Sequence, residues 1–219
     1  ALRVLLYDGI EVVGCGRTDT GVHARKFVVH FELPELLPED VLQVKINKLN
    51  RFLPPDIVVY EMYPVQPNAH ARFTAVHRTY KYYITFVKSP FAQGTAWFVH
   101  QSLDVKQMQE ALNVLKSYTD FTSFARLHSD NKTNNCSIQT ATCVMEQGCL
   151  VITLKADRFL RNMVRAVVGT LVEVGSGKLL LDDFKNIIEA KNRGKAGTSA
   201  PAYALFLEDV VYPEGIRLQ

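Results

Sequence analysis

The run His77-Arg78-Thr79-Tyr80-Lys81-Tyr82-Tyr83-Ile84-Thr85-Phe86 does most to restrict the fold of this chain. Read with the strand period of two, it puts Tyr80, Tyr82, Ile84 and Phe86 on one face and more polar side chains on the other. A strand with one apolar face must bury it, so its neighbours are read as partners and covering layers. Ile138–Met145 and Leu150–Leu154 form a predicted hairpin around Gln147-Gly148. Short strands are expected at Glu11–Cys15, Lys26–Phe31, Ile57–Tyr60 and Ala204–Val210. Four segments have helical spacing. Asp40 caps one that carries Val41, Val44, Leu49 and Phe52 and is stopped by Pro54-Pro55. Asp104 starts another with Val105, Met108, Leu112 and Leu115, and Phe159–Val174 forms a long apolar one. Asp182 or Asp183 caps the last, with Phe184, Ile187 and Ile188. Irregular alternation with hairpins predicts an α+β fold with a mainly antiparallel sheet. Gln101-Ser102 is a midpoint between two halves, residues 1–101 and 102–219, and no internal repeat is visible.

At 219 residues the chain is long enough to bury a substantial core. No apolar stretch approaches the roughly 20 residues of a membrane span and no signal-peptide pattern opens the chain, so a cytoplasmic location is expected. A net charge of +3 does not by itself establish nucleic-acid binding. Local density says more. Lys155 to Lys195 holds nine Lys or Arg against five Asp or Glu, with Arg158, Arg161 and Arg165 close together. A solvated basic face and contact with phosphates both fit that cluster. The four cysteines lack a C-x-x-C pair and the six histidines lack an H-x-x-x-H pair, so no metal site is expected and the thiols are read as reduced and mostly buried.

Gly16-Arg17-Thr18-Asp19-Thr20-Gly21-Val22-His23-Ala24 is too chemically loaded for an ordinary turn. Its glycines have G-x-x-x-x-G spacing, but Val22-His23 stands where a phosphate-binding loop needs Lys and Ser or Thr. Gly14-Cys15-Gly16 begins like a dinucleotide fingerprint, yet Asp19 occupies the place of the third glycine and would repel pyrophosphate. An Asx-turn or a cap is the bland role for Asp19. The sharper role is a reactive carboxylate. On the helix that follows Arg158, the positions Arg158, Arg161, Arg165 and Thr170 drift around an otherwise apolar face, so at least one guanidinium enters the interior and needs an anion there.

The same loop resembles the signature of the TruA-type tRNA pseudouridine synthases, whose usual form has alanine where Thr20 stands. Four further segments match in order. Arg78–Tyr82 is similar to the family's R-x-Y-x-Y strand, Phe121–Phe124 to its F-x-S-F segment, Phe159–Arg165 to its F-L-x-x-M-V-R helix, and Ser199–Leu205 to its T-A-P-A-x-G-L close. Ser199 and Ala204 depart from the usual threonine and glycine. Tyr7-Asp8-Gly9 imitates the family's Y-D-G-T opening, but lies too near Gly16 and lacks the Trp-Gln that follows, so the first strand of the family's N-terminal lobe is expected to be missing.

The resemblance implies a two-lobed α+β pseudouridine synthase fold, with a central, mostly antiparallel sheet flanked by helices and a cleft between lobes. It implies an isomerase that converts neighbouring uridines to pseudouridine in the tRNA anticodon stem-loop, as a homodimer, with no cofactor and no metal. Asp19 is then the nucleophile, at the ribose anomeric carbon or at the base ring. Arg165 is its partner, since an adjacent cation favours the charged carboxylate. Tyr80 stacks on the uracil and stands near the proton that C5 loses, and Arg17 enters the space left by the flipped nucleotide. Arg72, Arg78, Arg158 and Arg161 bind substrate, alongside Arg25, Lys26, Lys191, Arg193 and Lys195 as phosphate contacts. A non-catalytic RNA-binding or RNA-folding protein on the same scaffold is the alternative. A small-molecule hydrolase using Asp19 is a third reading, for which no second catalytic acid is evident.

Overall fold

The computed structural model describes residues 1–127 and 132–218. Its elements in chain order are α1 (Leu2–Leu5), β1 (Val13–Gly14), β2 (His23–Ala24), β3 (Val29–His30), α2 (Glu39–Phe52), β4 (His77–Thr85), β5 (Trp97–Phe98), α3 (Val105–Leu115), β6 (Ile138–Glu146), β7 (Cys149–Ala156), α4 (Met163–Gly175), α5 (Leu181–Glu189) and β8 (Leu205–Val211). No helix among the described residues is long and apolar enough to cross a membrane. The fold is α+β. The residues group into two units: Ala1–Gly16, Val28–Ala75 and Tyr212–Gln219 in one, Arg17–Phe27 and Val76–Val211 in the other.

The larger unit is organised by β4, as its alternation requires. Six strands form one sheet in the order β2-β8-β4-β7-β6, with β5 also on β4. The long pairings, β4 with β7, β4 with β8 and β6 with β7, are antiparallel, while the short β2 and β5 pair parallel. Tyr82 and Ile84 of β4 join Ile152 and Leu154 of β7 in one buried cluster with α3, α4 and α5. In α3, Met108, Leu112 and Leu115 are fully buried, and Asp104 caps the helix by accepting from the Gln107 amide at 3.0 Å. The β6–β7 hairpin turns at Gln147-Gly148.

Helix α4 is apolar nearly all round and lies inside the core, as such a helix must. Of its thirteen residues only Arg165 and Glu173 are not buried. It begins at Met163, however, not at Phe159. Asn162 takes a left-handed φ of 66°, so Phe159 to Asn162 form an approach to the helix, and Arg158 and Arg161 do not share its face. Gly169 is required by close packing: a Cβ there would sit 1.8 Å from the Thr198 carbonyl oxygen. The segment after residue 196 is thereby laid against the helix. Thr170 Oγ1 ties it further, accepting from the Gly197 amide at 3.0 Å while donating to the Ala166 carbonyl at 2.8 Å. In α5 the N-cap is Leu180, and Asp183 lies three residues on, accepting from the Leu180 amide at 3.0 Å. The expected capping aspartates therefore stand inside the helix.

The smaller unit departs more from its sequence pattern. The strands expected on either side of the Gly16–Ala24 loop shrink to the two-residue pair β1–β3. Helix α2 buries Leu42, Ile46 and Leu49, while Val44 and Phe52, expected on the inner face, are exposed. No strand forms at Ile57–Tyr60. The Asn50 side chain instead holds Val59 at both backbone groups, donating to its carbonyl at 2.8 Å and accepting from its amide at 2.7 Å. A side chain there replaces a strand partner.

Candidate active site

Asp19 lies on the turn between Arg17 and β2, where the Val22 amide donates to its carbonyl at 3.1 Å and Gly21 takes φ 85°. The backbone supports the loop, so the carboxylate is left for another partner. Arg165, in the first turn of α4, supplies it. Its Nη1 donates to Asp19 Oδ2 at 2.7 Å and its Nε to the Ala200 carbonyl at 2.7 Å. The Ala200 amide returns a bond to the Arg165 carbonyl at 2.9 Å. Two acceptors fix the guanidinium plane, and the close packing at Gly169 keeps one of them in place. Both charged side chains are about four-fifths buried, with 20% of Asp19 and 21% of Arg165 accessible. Such a short charge-assisted bond is stronger than a neutral one.

A cleft of about 510 Å³ opens over this pair, lined by Thr18, Asp19, Thr20, Arg126, Arg161, Asn162, Arg165 and Ser199. Arg161 is its looser cation, with Nε 3.8 Å from Asp19 Oδ1 and more than half of its side chain accessible. Arg126 follows the Phe121–Phe124 segment, whose end is anchored by fully buried Phe124, and its backbone amide donates to the Arg161 carbonyl at 3.0 Å. Asn162 donates to Ser199 Oγ at 2.7 Å. Arg126 escapes a reading from sequence because an isolated arginine after an aromatic segment has no distinguishing spacing. Its position two residues beyond Phe124 was the available signal.

The other candidate residues are distributed as follows. Tyr80 is partly buried on β4 and meets Phe159 edge-on at 5.1 Å between ring centres. The β4–β8 register shifts between Thr79 and Tyr80, a bulge of the kind that re-aims a side chain. Arg17 is exposed and is not part of the cleft lining. Arg78 Nη1 donates to the Asp157 carbonyl at 3.1 Å, and the Arg158 amide donates to Asp157 Oδ1 at 2.7 Å. Arg72 belongs to the smaller unit, where its guanidinium lies 5.4 Å from the Phe73 ring centre. Next to the Ala200 segment, fully buried Tyr82 donates its hydroxyl to the Pro201 carbonyl at 2.9 Å, and burial raises its pKa. Tyr82 is thus a structural strut behind the loop.

Residues 118–213 match the family described as tRNA pseudouridine synthase. The tRNA pseudouridine synthase A of Parabacteroides distasonis is 55% identical over 214 residues, covering 98% of this chain and 84% of that protein. The chain belongs to the tRNA pseudouridine synthase A family. The protein of that name from Bacteroides fragilis is 56% identical over 217 residues, covering 99% of this chain and 85% of its own length. The one from Shewanella amazonensis is 35% identical over 221 residues, covering the whole of this chain and 83% of its own length. Membership in the tRNA pseudouridine synthase A family makes the chain an isomerase. The described residues that line the cleft all belong to the larger unit, and those from Arg126 onward fall inside the matched segment.

Proposed function

We propose that this chain isomerises uridine to pseudouridine in the anticodon stem-loop of tRNA, with Asp19 as nucleophile. The observation that carries the reading is the Asp19–Arg165 pair, 2.7 Å long, at the floor of an arginine-lined cleft. The reaction breaks the bond between uracil N1 and the ribose anomeric carbon, turns the base, and joins C5 to the same carbon. N1 gains a proton and C5 loses one, so no group donor or redox partner is needed. Asp19 supplies the electron pair, at the anomeric carbon or at the base ring. Arg165 keeps that carboxylate directed into the cleft through its second anchor on Ala200. Tyr80 stacks on the turned base and faces the proton at C5. Arg17 fills the gap left by the flipped nucleotide, offsetting an unstacking cost of a few kcal/mol. Arg72, Arg78, Arg158 and Arg161 contact the phosphate backbone, which reads RNA by shape and charge. The working form is a cytoplasmic homodimer.

Tritium release from C5-labelled uridine in tRNA tests the reading. The protein is expected to release tritium and Asp19→Asn to release none while still binding tRNA. Tight tRNA binding without release by the unaltered protein would replace the enzyme reading with a non-catalytic RNA-binding one.

A further inference from the structure

Ser199 is the most constrained hydroxyl in the cleft. Its Oγ accepts from Asn162 Nδ2 at 2.7 Å and from Arg193 Nη2 at 2.9 Å. A serine hydroxyl has two lone pairs and one proton, so both acceptor positions are filled and only the O–H remains to be given. Arg193 is not free to turn away. Arg193 is pinned by its Nη1 to the carbonyls of Ala196 at 3.2 Å and Gly197 at 3.1 Å, and Asn162 sits in a left-handed conformation at the start of α4. A guanidinium behind the oxygen polarises the O–H toward an anionic acceptor.

The cleft supports such an acceptor. Among the described residues its charged lining is Arg126, Arg161, Arg165 and Asp19, with more positive groups than negative ones before substrate enters. A nucleotide within an RNA chain brings a phosphodiester on each side of its ribose, whereas the uracil carbonyls are neutral. We propose that Ser199 and Arg126 form a phosphodiester subsite, which holds the backbone next to the target uridine while Asp19 and Arg165 face the reacting atoms. This rests on the proposed function.

Steady-state kinetics on C5-tritiated tRNA, with melting curves as a folding control, test it. Ser199→Ala is expected to raise KM about tenfold with kcat nearly unchanged, as for one lost bond to a charged group, while Ser199→Thr keeps both constants. Arg126→Gln is expected to raise KM and to flatten the slope of log KM against log salt by about 0.7, the share of one phosphate contact. Ser199→Ala leaves that slope alone because no charge is lost. A methylphosphonate on one side of the target uridine in a stem-loop RNA should weaken the unaltered protein and add little to Ser199→Ala. An unchanged KM in Ser199→Ala, a loss confined to kcat, or a methylphosphonate penalty undiminished in that variant would overturn the subsite. Absence of tritium release from the unaltered protein would instead remove the enzyme reading beneath it.

Discussion

The two units of this chain hold their shape by different means. The larger one has a six-stranded sheet and a cluster in which Tyr82, Phe121, Phe124 and Phe184 are fully buried. The smaller one has a strand pair of two residues each and a single long helix, and it leaves Phe52, Ile57 and Tyr60 exposed. Beyond the buried face of α2, its chain is also held by polar side chains on backbone groups. Asn50 holds Val59, His30 Nδ1 accepts from the Ala71 amide at 3.1 Å, and the Tyr212 hydroxyl donates to the Ala71 carbonyl at 2.6 Å. Dense apolar packing fixes side-chain direction, because a displaced side chain would open a void or collide with its neighbours. A carboxylate whose direction is fixed belongs in such surroundings, and Asp19 and its cleft lie in the larger unit.

The largest expected effect is in that packed unit. Gly169→Ala puts a Cβ 1.8 Å from the Thr198 oxygen and should destabilise the fold by about 3 kcal/mol, read from urea unfolding. Unchanged unfolding would mean that the segment beyond residue 196 yields without cost. Next comes Arg165→Ala, which strands the Asp19 carboxylate about four-fifths buried. Breaking a fully buried pair costs about 3–5 kcal/mol, so about 2–3 kcal/mol is expected at this cleft, with turnover lost. A variant as stable and active as the parent would show that the pair does neither job.

Acidification probes the smaller unit. The pKa of His30 is lowered, first by burial and then by the adjacent His70 ring, with Glu32 opposing. The folded state therefore favours neutral His30, and its stabilising contribution is present above about pH 6.5 and is lost as pH falls through the lowered value. Protonation also removes the acceptor for the Ala71 amide. Hydrogen exchange at pH 5 against pH 7 should show faster opening around residues 70–74, and His30→Gln should flatten the change. Equal protection at both pH values would separate His30 from the stability of that turn. The smallest effect is expected from Arg217→Ala. Its pair with Glu61, at 3.0 Å, is more than half exposed on both sides, so melting should register about 0–1 kcal/mol. A loss as large as that of Arg165→Ala would erase the contrast between a screened pair and an enclosed one.

The larger unit was also the more legible in sequence, and for the same reason. Periodic apolar positions in α3, β4 and the β6–β7 hairpin report burial against a continuous layer, which overrides local preference. Four cysteines read as reduced thiols are indeed free, and burial pushes Cys136 and Cys143 up to about 12. In the smaller unit Ile57-Val58-Val59-Tyr60 has strand composition but meets the Asn50 amide instead of a strand edge, and α2 turns Val44 and Phe52 outward. Short apolar runs carry no record of which neighbour will face them. The start of α4 was hidden for a different reason, since a left-handed Asn162 is one residue's choice within an otherwise helical pattern.

Sequence by itself determined the α+β class, the apolar interior of α4 and the family, and it singled out Asp19 and Arg165 as candidates. These rest on periodicity and on residue identity at ordered motifs, both local properties of the chain. Tertiary structure alone decided that the Asp19 carboxylate meets Arg165 at 2.7 Å, that Arg126 and Ser199 line the same cleft, and that Arg193 and Asn162 leave Ser199 only a proton to give. Those contacts join positions far apart in the chain, and their geometry depends on how the core brings α4 and its neighbouring segments together.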